Sequence, residues 1–181
     1  MSNHVAMTAN LDVQRIEALI DARFPQIHAD GRLLAIEEVG PRQSRVRMKM
    51  HDRHIRPGGS VSGPSMFTLA DFSVYVAIIG ALGEAGIDAV TTNLNINFLA
   101  KPEPRDLVSI VRLIRLGRRL AVGEAQLYSD GVPDMVAHAI ATYAAARHRR
   151  LGRYHRTGNI LPFRYSSDSI AFYPLATSRA R

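Results

Sequence analysis

The chain contains no cysteine in its 181 residues. That excludes disulfides, a thiol nucleophile and any cysteine-ligated metal, and it fits a reducing compartment. The first residues, MSNHVAMTANLDVQ, lack the basic and apolar regions of a secretory signal. No apolar run is expected to reach the length of a membrane span, because Asp71 interrupts the best candidate. These absences lead to the expectation of a soluble, cytoplasmic protein. There is no Gly-x-Ser-x-Gly elbow, so a Ser-His-Asp hydrolase has no support. No Gly-Lys-Ser/Thr follows the glycine-rich loop RPGGSVSGP, which excludes a Walker-type phosphate loop. His51 and His54 flank Asp52 and Arg53, but no other His or acid is spaced to complete a metal site with them, so no metal and no cofactor are expected.

Charge is also missing where the global number suggests it. The formal net charge is +7, and residues 147–181, with eight arginines and one aspartate, carry all of it. The remaining residues hold fifteen basic and fifteen acidic side chains. A neutral body argues against a nucleic-acid-binding domain and leaves any polyanion contact to the tail. Arg147, Arg149, Arg150, Arg153 and Arg156 could meet phosphates there, or form a solvated extension. The tail shows no sustained period; it packs as an arm or stays disordered.

Three regions follow: an N-terminal helix and link (1–30), a folded domain (31–146) and the basic extension (147–181). Residues 11–23 place Leu11, Ile16, Leu19 and Ile20 on one helical face, with Asp12 in the first turn. Arg32–Val39 suits a strand, Gly40-Pro41 a turn, and Ser44–Met50 alternates as a half-buried strand. After the buried segment, Ala89–Leu99 alternates Leu94, Ile96 and Phe98 against Asn93, Asn95 and Asn97. Leu107–Leu116, Leu120–Tyr128 and Met135–Ala145 follow as strands, the last so rich in alanine that a helix fits it equally. His138 within it is expected to be a hydrogen-bonded structural histidine. The order predicts an α+β fold in which an antiparallel sheet wraps one central helix.

That helix is the most informative segment. Gly63–Leu82 is apolar nearly all round, and Asp71 is the only charged residue between Arg56 and Glu84. A carboxylate in such a place must be hydrogen-bonded, paired or protonated. The glycine-rich loop runs straight into the helix, whose N-terminal N–H groups can hold an oxyanion. One short segment thus offers an acid or base and a candidate oxyanion hole. For Gly58 and Gly59 the reading is turn geometry.

These residues resemble the hotdog-fold acyl-CoA thioesterases, in their phenylacetyl-CoA thioesterase-like branch. The resemblance spans about Gly31–Ala146 and is carried by HIRPGGSVSGPSMFTLAD (His54–Asp71) and TTNLNINFLAKP. The family pattern is roughly His-x-Asn-Pro-x-Gly-x-x-His-Gly-Gly, then a helix bearing Leu-Ala-Asp. The resemblance implies a hotdog fold, a curved antiparallel sheet around one long helix. It implies that Asp71 activates water or attacks the thioester, that the Gly63 N–H binds the carbonyl oxygen, and that Thr91 helps position water. It also implies a homodimer or homotetramer with the site between protomers, the edge strand Thr91–Leu99 pairing across the dimer. Arg56 stands at the family's Asn, Ser62 at its His, and Pro64, with no N–H, at its second Gly. An Arg56–Asp71 pair would hold the carboxylate ionised; alternatively Arg56 faces the thioester oxygen or a substrate carboxylate. His54 is expected to line the loop, Asn93 to lie beside the site, and Met66, Phe67, Tyr75 and Phe98 to line an acyl pocket or belong to the core. The implied activity is acyl-CoA hydrolysis. Hydration or dehydration of an acyl thioester, or acyl-CoA binding without turnover, are the other two readings.

Overall fold

The structure is a computed structural model that describes residues 12–29 and 31–144. Leu11 and the basic extension 147–181, for which arm and phosphate-contact readings were given, lie outside the described residues. Helix α1 spans Val13–Arg23. Asp12 is its cap rather than part of its first turn, its carboxylate accepting from the Arg15 N–H at 2.9 Å. Ile16 and Ile20 are buried, with Leu19 packed beside the core.

Strands β1 (Leu34–Gly40) and β2 (Gln43–Met48) form a hairpin. The short strands β3 (Ile55–Arg56) and β4 (Ser60–Val61) make a second, separate hairpin out of the glycine-rich loop. Gly58 and Gly59 have φ of 97° and 72°, the left-handed region that glycine enters without cost. Helix α2 (Gly63–Leu82) follows, then β5 (Val90–Phe98), β6 (Leu107–Leu116), β7 (Leu120–Ser129) and β8 (Met135–Ala144). Six strands form one antiparallel sheet in the order β1-β2-β6-β7-β8-β5. The alanine-rich segment is therefore a strand. Its alanines have a packing reason: Ala137, Ala139 and Ala141 on β8, and Ala121, Gly123 and Ala125 on β7, are all buried. Small residues on the two strands let the thick, apolar α2 lie close to the sheet. A methyl group added at Gly123 would come within 2.7 Å of Val74 on α2.

This is the hotdog arrangement: a curved sheet wrapped around one long helix. The expectation about membrane spans needs correction. Gly63–Asp88, which is α2 plus the 3₁₀ turn after it, is long and apolar enough by length and composition to cross a membrane. Burial against the sheet accounts for that composition, since residues from Met66 to Gly80 are mostly out of contact with solvent. Asp71 falls on the one face of α2 that the sheet leaves uncovered. Strand β5, at the sheet edge, leaves Val90 and Phe98 more than half exposed, as is Leu99 just after it.

Candidate active site

Asp71 sits at the wall of a cavity of about 570 Å³ and is half-buried rather than enclosed. Phe67, Thr68, Asp71, Phe72 and Tyr75 bring one stripe of α2 to the cavity. Their spacing of four places them on a single helical face. Phe24 and Ile27, just after α1, form the opposite wall, and Ile87, Ala89 and Thr91 complete it. Phe24 meets Tyr75 edge-on, with ring centres 6.5 Å apart. The lining is mostly apolar and aromatic; Asp71 lies within it, and an Arg23–Asp88 ion pair at 3.5 Å adds the other charged side chains, the composition of a small-molecule site.

Two hydroxyls hold that carboxylate. Thr91 Oγ1 donates to Asp71 Oδ1 at 2.9 Å, and the Tyr143 hydroxyl donates to the same oxygen at 2.6 Å. Thr91 and Tyr143 are direct cross-strand partners on β5 and β8, which explains how both reach one atom. Among the described residues, Asp71 Oδ2 accepts no hydrogen bond. Nor is it among the buried polar atoms left without a partner, so it reaches the cavity. Burial first, and the adjacent Asp71 charge second, hold the Tyr143 phenol well above its usual range, so it stays a donor. Burial likewise pushes Tyr75 up to about 12, and its hydroxyl donates to the Ile87 carbonyl at 2.7 Å.

A β-bulge makes the Thr91 contact possible. Strict alternation would set Thr91 on the face of Asn93, Asn95 and Asn97, away from Leu94 and Ile96. The register instead slips between Thr91 and Asn93, and Thr92 is the extra residue. The slip turns Thr91 toward α2 while Asn93, Asn95 and Asn97 stay exposed. Asn93 is accordingly not beside Asp71.

The other predicted residues gather two turns away, at the start of α2. Ser62 caps the helix, accepting from the Ser65 N–H at 3.4 Å and sharing a 2.8 Å hydrogen bond with the Ser65 hydroxyl. Pro64 occupies the first turn, where its missing N–H breaks no helical bond. Among the described residues, the Gly63 N–H donates to no protein acceptor. His54 is buried, and its carbonyl accepts the Ser62 N–H at 2.7 Å, tying the β3–β4 loop to the cap. Burial, then the charge of Arg53, lowers the His54 pKa below its ordinary value. Arg56 is exposed on β3 and pairs with no acid among the described residues; in particular it does not reach Asp71. Phe67 faces the cavity, but Met66 turns into the core and Phe98 lies over Gly63, so neither of these two lines the Asp71 cavity. His138 shares a 3.0 Å contact with Glu124 on the outer face of the sheet. Among the described residues, no group of three or more His, Asp or Glu is placed to hold a metal ion.

Sequence reasoning missed Tyr143. The signal was present: on the inward face of β8 it is the one large residue after three alanines, and antiparallel pairing with β5 sets it beside Thr91.

Comparison with known proteins gives a consistent picture. The family model for the Thioesterase superfamily matches residues 58–135. A crystal structure of a candidate thioesterase from Silicibacter sp. TM1040 is 40% identical, with 77% of this chain and 95% of that one covered at a TM-score of 0.67. A candidate thioesterase from Ralstonia eutropha JMP134, described as related to phenylacetic acid degradation, is 25% identical over 72% of this chain and 98% of its own, at a TM-score of 0.62. A candidate esterase of Saccharolobus solfataricus is 28% identical over 114 residues, which are 63% of this chain and 74% of that protein.

Proposed function

This chain belongs to the thioesterase superfamily, and we propose that it hydrolyses an acyl-CoA thioester to a carboxylic acid and free coenzyme A. The observation that carries the reading is Asp71: one carboxylate oxygen is held by two hydroxyls and the other faces an apolar cavity. In the proposed reaction Oδ2 takes a proton from water as the water oxygen bonds to the thioester carbon. The carbonyl oxygen becomes an oxyanion, and the Gly63 N–H at the start of α2 donates to it. The carbon–sulfur bond then breaks, and the proton on Asp71 passes to the departing thiolate. The acyl group occupies the cavity among Phe24, Phe67 and Tyr75. No cofactor enters any step.

A single protomer does not bring the two halves together. Asp71 lies eight residues past Gly63, so their backbones are separated by about 12 Å along the helix axis. The attacking water and the oxyanion sit only about 3 Å from their respective groups. A second copy resolves the mismatch. Strand β5 carries Thr91, beside Asp71, at one end and Phe98, over Gly63, at the other. A two-fold axis through the middle of an antiparallel β5–β5 pair sets the Thr91 end of one copy against the Phe98 end of the other. We therefore propose a cytoplasmic homodimer, or a tetramer built from it, in which each site takes Asp71 from one chain and Gly63 from its partner. Arg56, Ser62 and His54 then border the partner's site from the loop side, where Arg56 is free to meet an anionic part of the substrate.

The experiment is thiol release from short, long and aromatic acyl-CoAs by wild type and Asp71→Asn. Turnover in the wild type that falls by about two to four orders of magnitude in the variant supports the reading. Equal turnover in both sinks the role of Asp71. Binding without turnover in either points to an acyl-CoA-binding protein, for which the single oxyanion donor left by Pro64 supplies the reason.

A further inference from the structure

Tyr143 is 2% exposed, and its ring stacks on Tyr75, with planes 15° apart and centres 6.3 Å apart. A buried tyrosine hydroxyl needs an acceptor, and any carbonyl would serve; Tyr75 is satisfied in that way by Ile87. Tyr143 is different. Its one hydroxyl hydrogen is shared between Asp71 Oδ1 at 2.6 Å and the Asp71 backbone carbonyl at 2.8 Å. Both acceptors belong to the same residue, so the contact fixes the Asp71 side chain relative to its own backbone. Thr91 adds a second donor to Oδ1 from the other side of the strand pair.

We propose that Tyr143 is a positioning residue: with Thr91 it saturates Oδ1 and locks the Asp71 rotamer, so that Oδ2 alone takes the proton from water. The inference rests on the hydrolytic reading of the site. Two donors on one oxygen leave it little capacity to accept from the attacking water. The free oxygen keeps one direction, which a half-exposed aspartate on a helix would otherwise lose among its rotamers.

Tyr143→Phe tests this, because it keeps the ring and its stack and removes only the hydroxyl. The expected result is a kcat about ten- to a hundredfold lower, with KM changed by less than about twofold, since the hydroxyl contacts Asp71 rather than substrate. Tyr143→Phe added to Asp71→Asn should cost no further kcat, because the hydroxyl acts only through the carboxylate. Thr91→Val should lower kcat in the same way by less. A Phe variant with lowered thermal stability but wild-type kcat overturns the proposal. A second readout labels the protein with ¹³C at tyrosine Cζ. The Tyr143 resonance should shift in Asp71→Asn, where a neutral amide replaces the carboxylate that accepts from the phenol. An unmoved resonance overturns the proposal whether or not any thioester is hydrolysed. A resonance that shifts, in a protein whose wild type releases no thiol from any substrate, removes the hydrolytic reading and leaves the Tyr143–Asp71 clamp standing.

Discussion

A site divided between two chains can be rebuilt from two inactive ones. The perturbations are Asp71→Asn, which removes the base, and Gly63→Pro, which removes the N–H donor. Proline suits the first helical position, where its fixed φ matches the helix and its missing N–H breaks no helical bond. The nearest atoms to a Cβ at Gly63 are those of the exposed Phe98 ring, at 3.2 Å, which a shift of a few tenths of an ångström in that ring relieves. Each homo-oligomer should lose about two to four orders of magnitude for the base and two to three for the oxyanion donor. A mixed dimer differs. One of its two sites carries both lesions; the other draws Asp71 from the Gly63→Pro chain and Gly63 from the Asp71→Asn chain, and is intact.

The assay is thiol release by mixed dimers, made by co-expressing the two variants with different tags and purifying on both. With one of two symmetric sites intact, activity per dimer should return to about half of wild type, at unchanged KM. That gain over either parent is about fiftyfold or more. A mixed dimer as inactive as its parents, with light scattering showing a two-chain particle, would refute the shared site and the distance argument behind it. The same result follows if the wild type is a fully active monomer, because then 12 Å of helix separates groups that do act together.

Two further perturbations test the fold that presents the site. Gly123→Ala should destabilise by about 1–3 kcal/mol, because its methyl meets Val74 at 2.7 Å and Leu113 at 3.3 Å. Val74→Ala in the same chain should restore part of the loss in urea melts; additive costs would show that β7 and α2 do not press on each other there. His54 has a folded pKa lowered by burial, so the folded state resists its protonation. Its contribution to stability is present above the unfolded pKa of about 6.5 and is lost as pH falls toward and through the folded value. The wild-type melting temperature should therefore drop from pH 7 to pH 5 more steeply than that of His54→Gln, and parallel curves would show that burial of the His54 imidazole does not set the pH dependence.

What the sequence made legible, and what it hid, divides along physical lines. Helix α2 was legible because it is apolar on every side, and only a fold that covers every side tolerates such a helix. Asp71 was legible for the converse reason, as a charge where the pattern forbids one. Strands β2 and β6 announced themselves by alternation and β-branched content, whereas β8 did not. Its alanines satisfy a helix as well as a strand locally, and their reason, clearance for α2, exists only once the sheet has formed. The site shows the same division more sharply. The contact between Thr91 and Asp71 depends on a one-residue register slip at Thr92, and period-2 reasoning places Thr91 on the opposite face. Asn93, expected beside the site, lies on the exposed face past the slip. Tyr143 is 72 residues from Asp71 in sequence, and only the pairing of β5 with β8 joins them. Patterning along the chain finds the residue whose chemistry is out of place, because that mismatch is local. The groups that orient it come from strand pairing, and a single slip decides which hydroxyl faces the helix. An Asp on an apolar helix should therefore be sought first in sequence, and its orienting partners at the bulges and cross-strand positions of the sheet that wraps it.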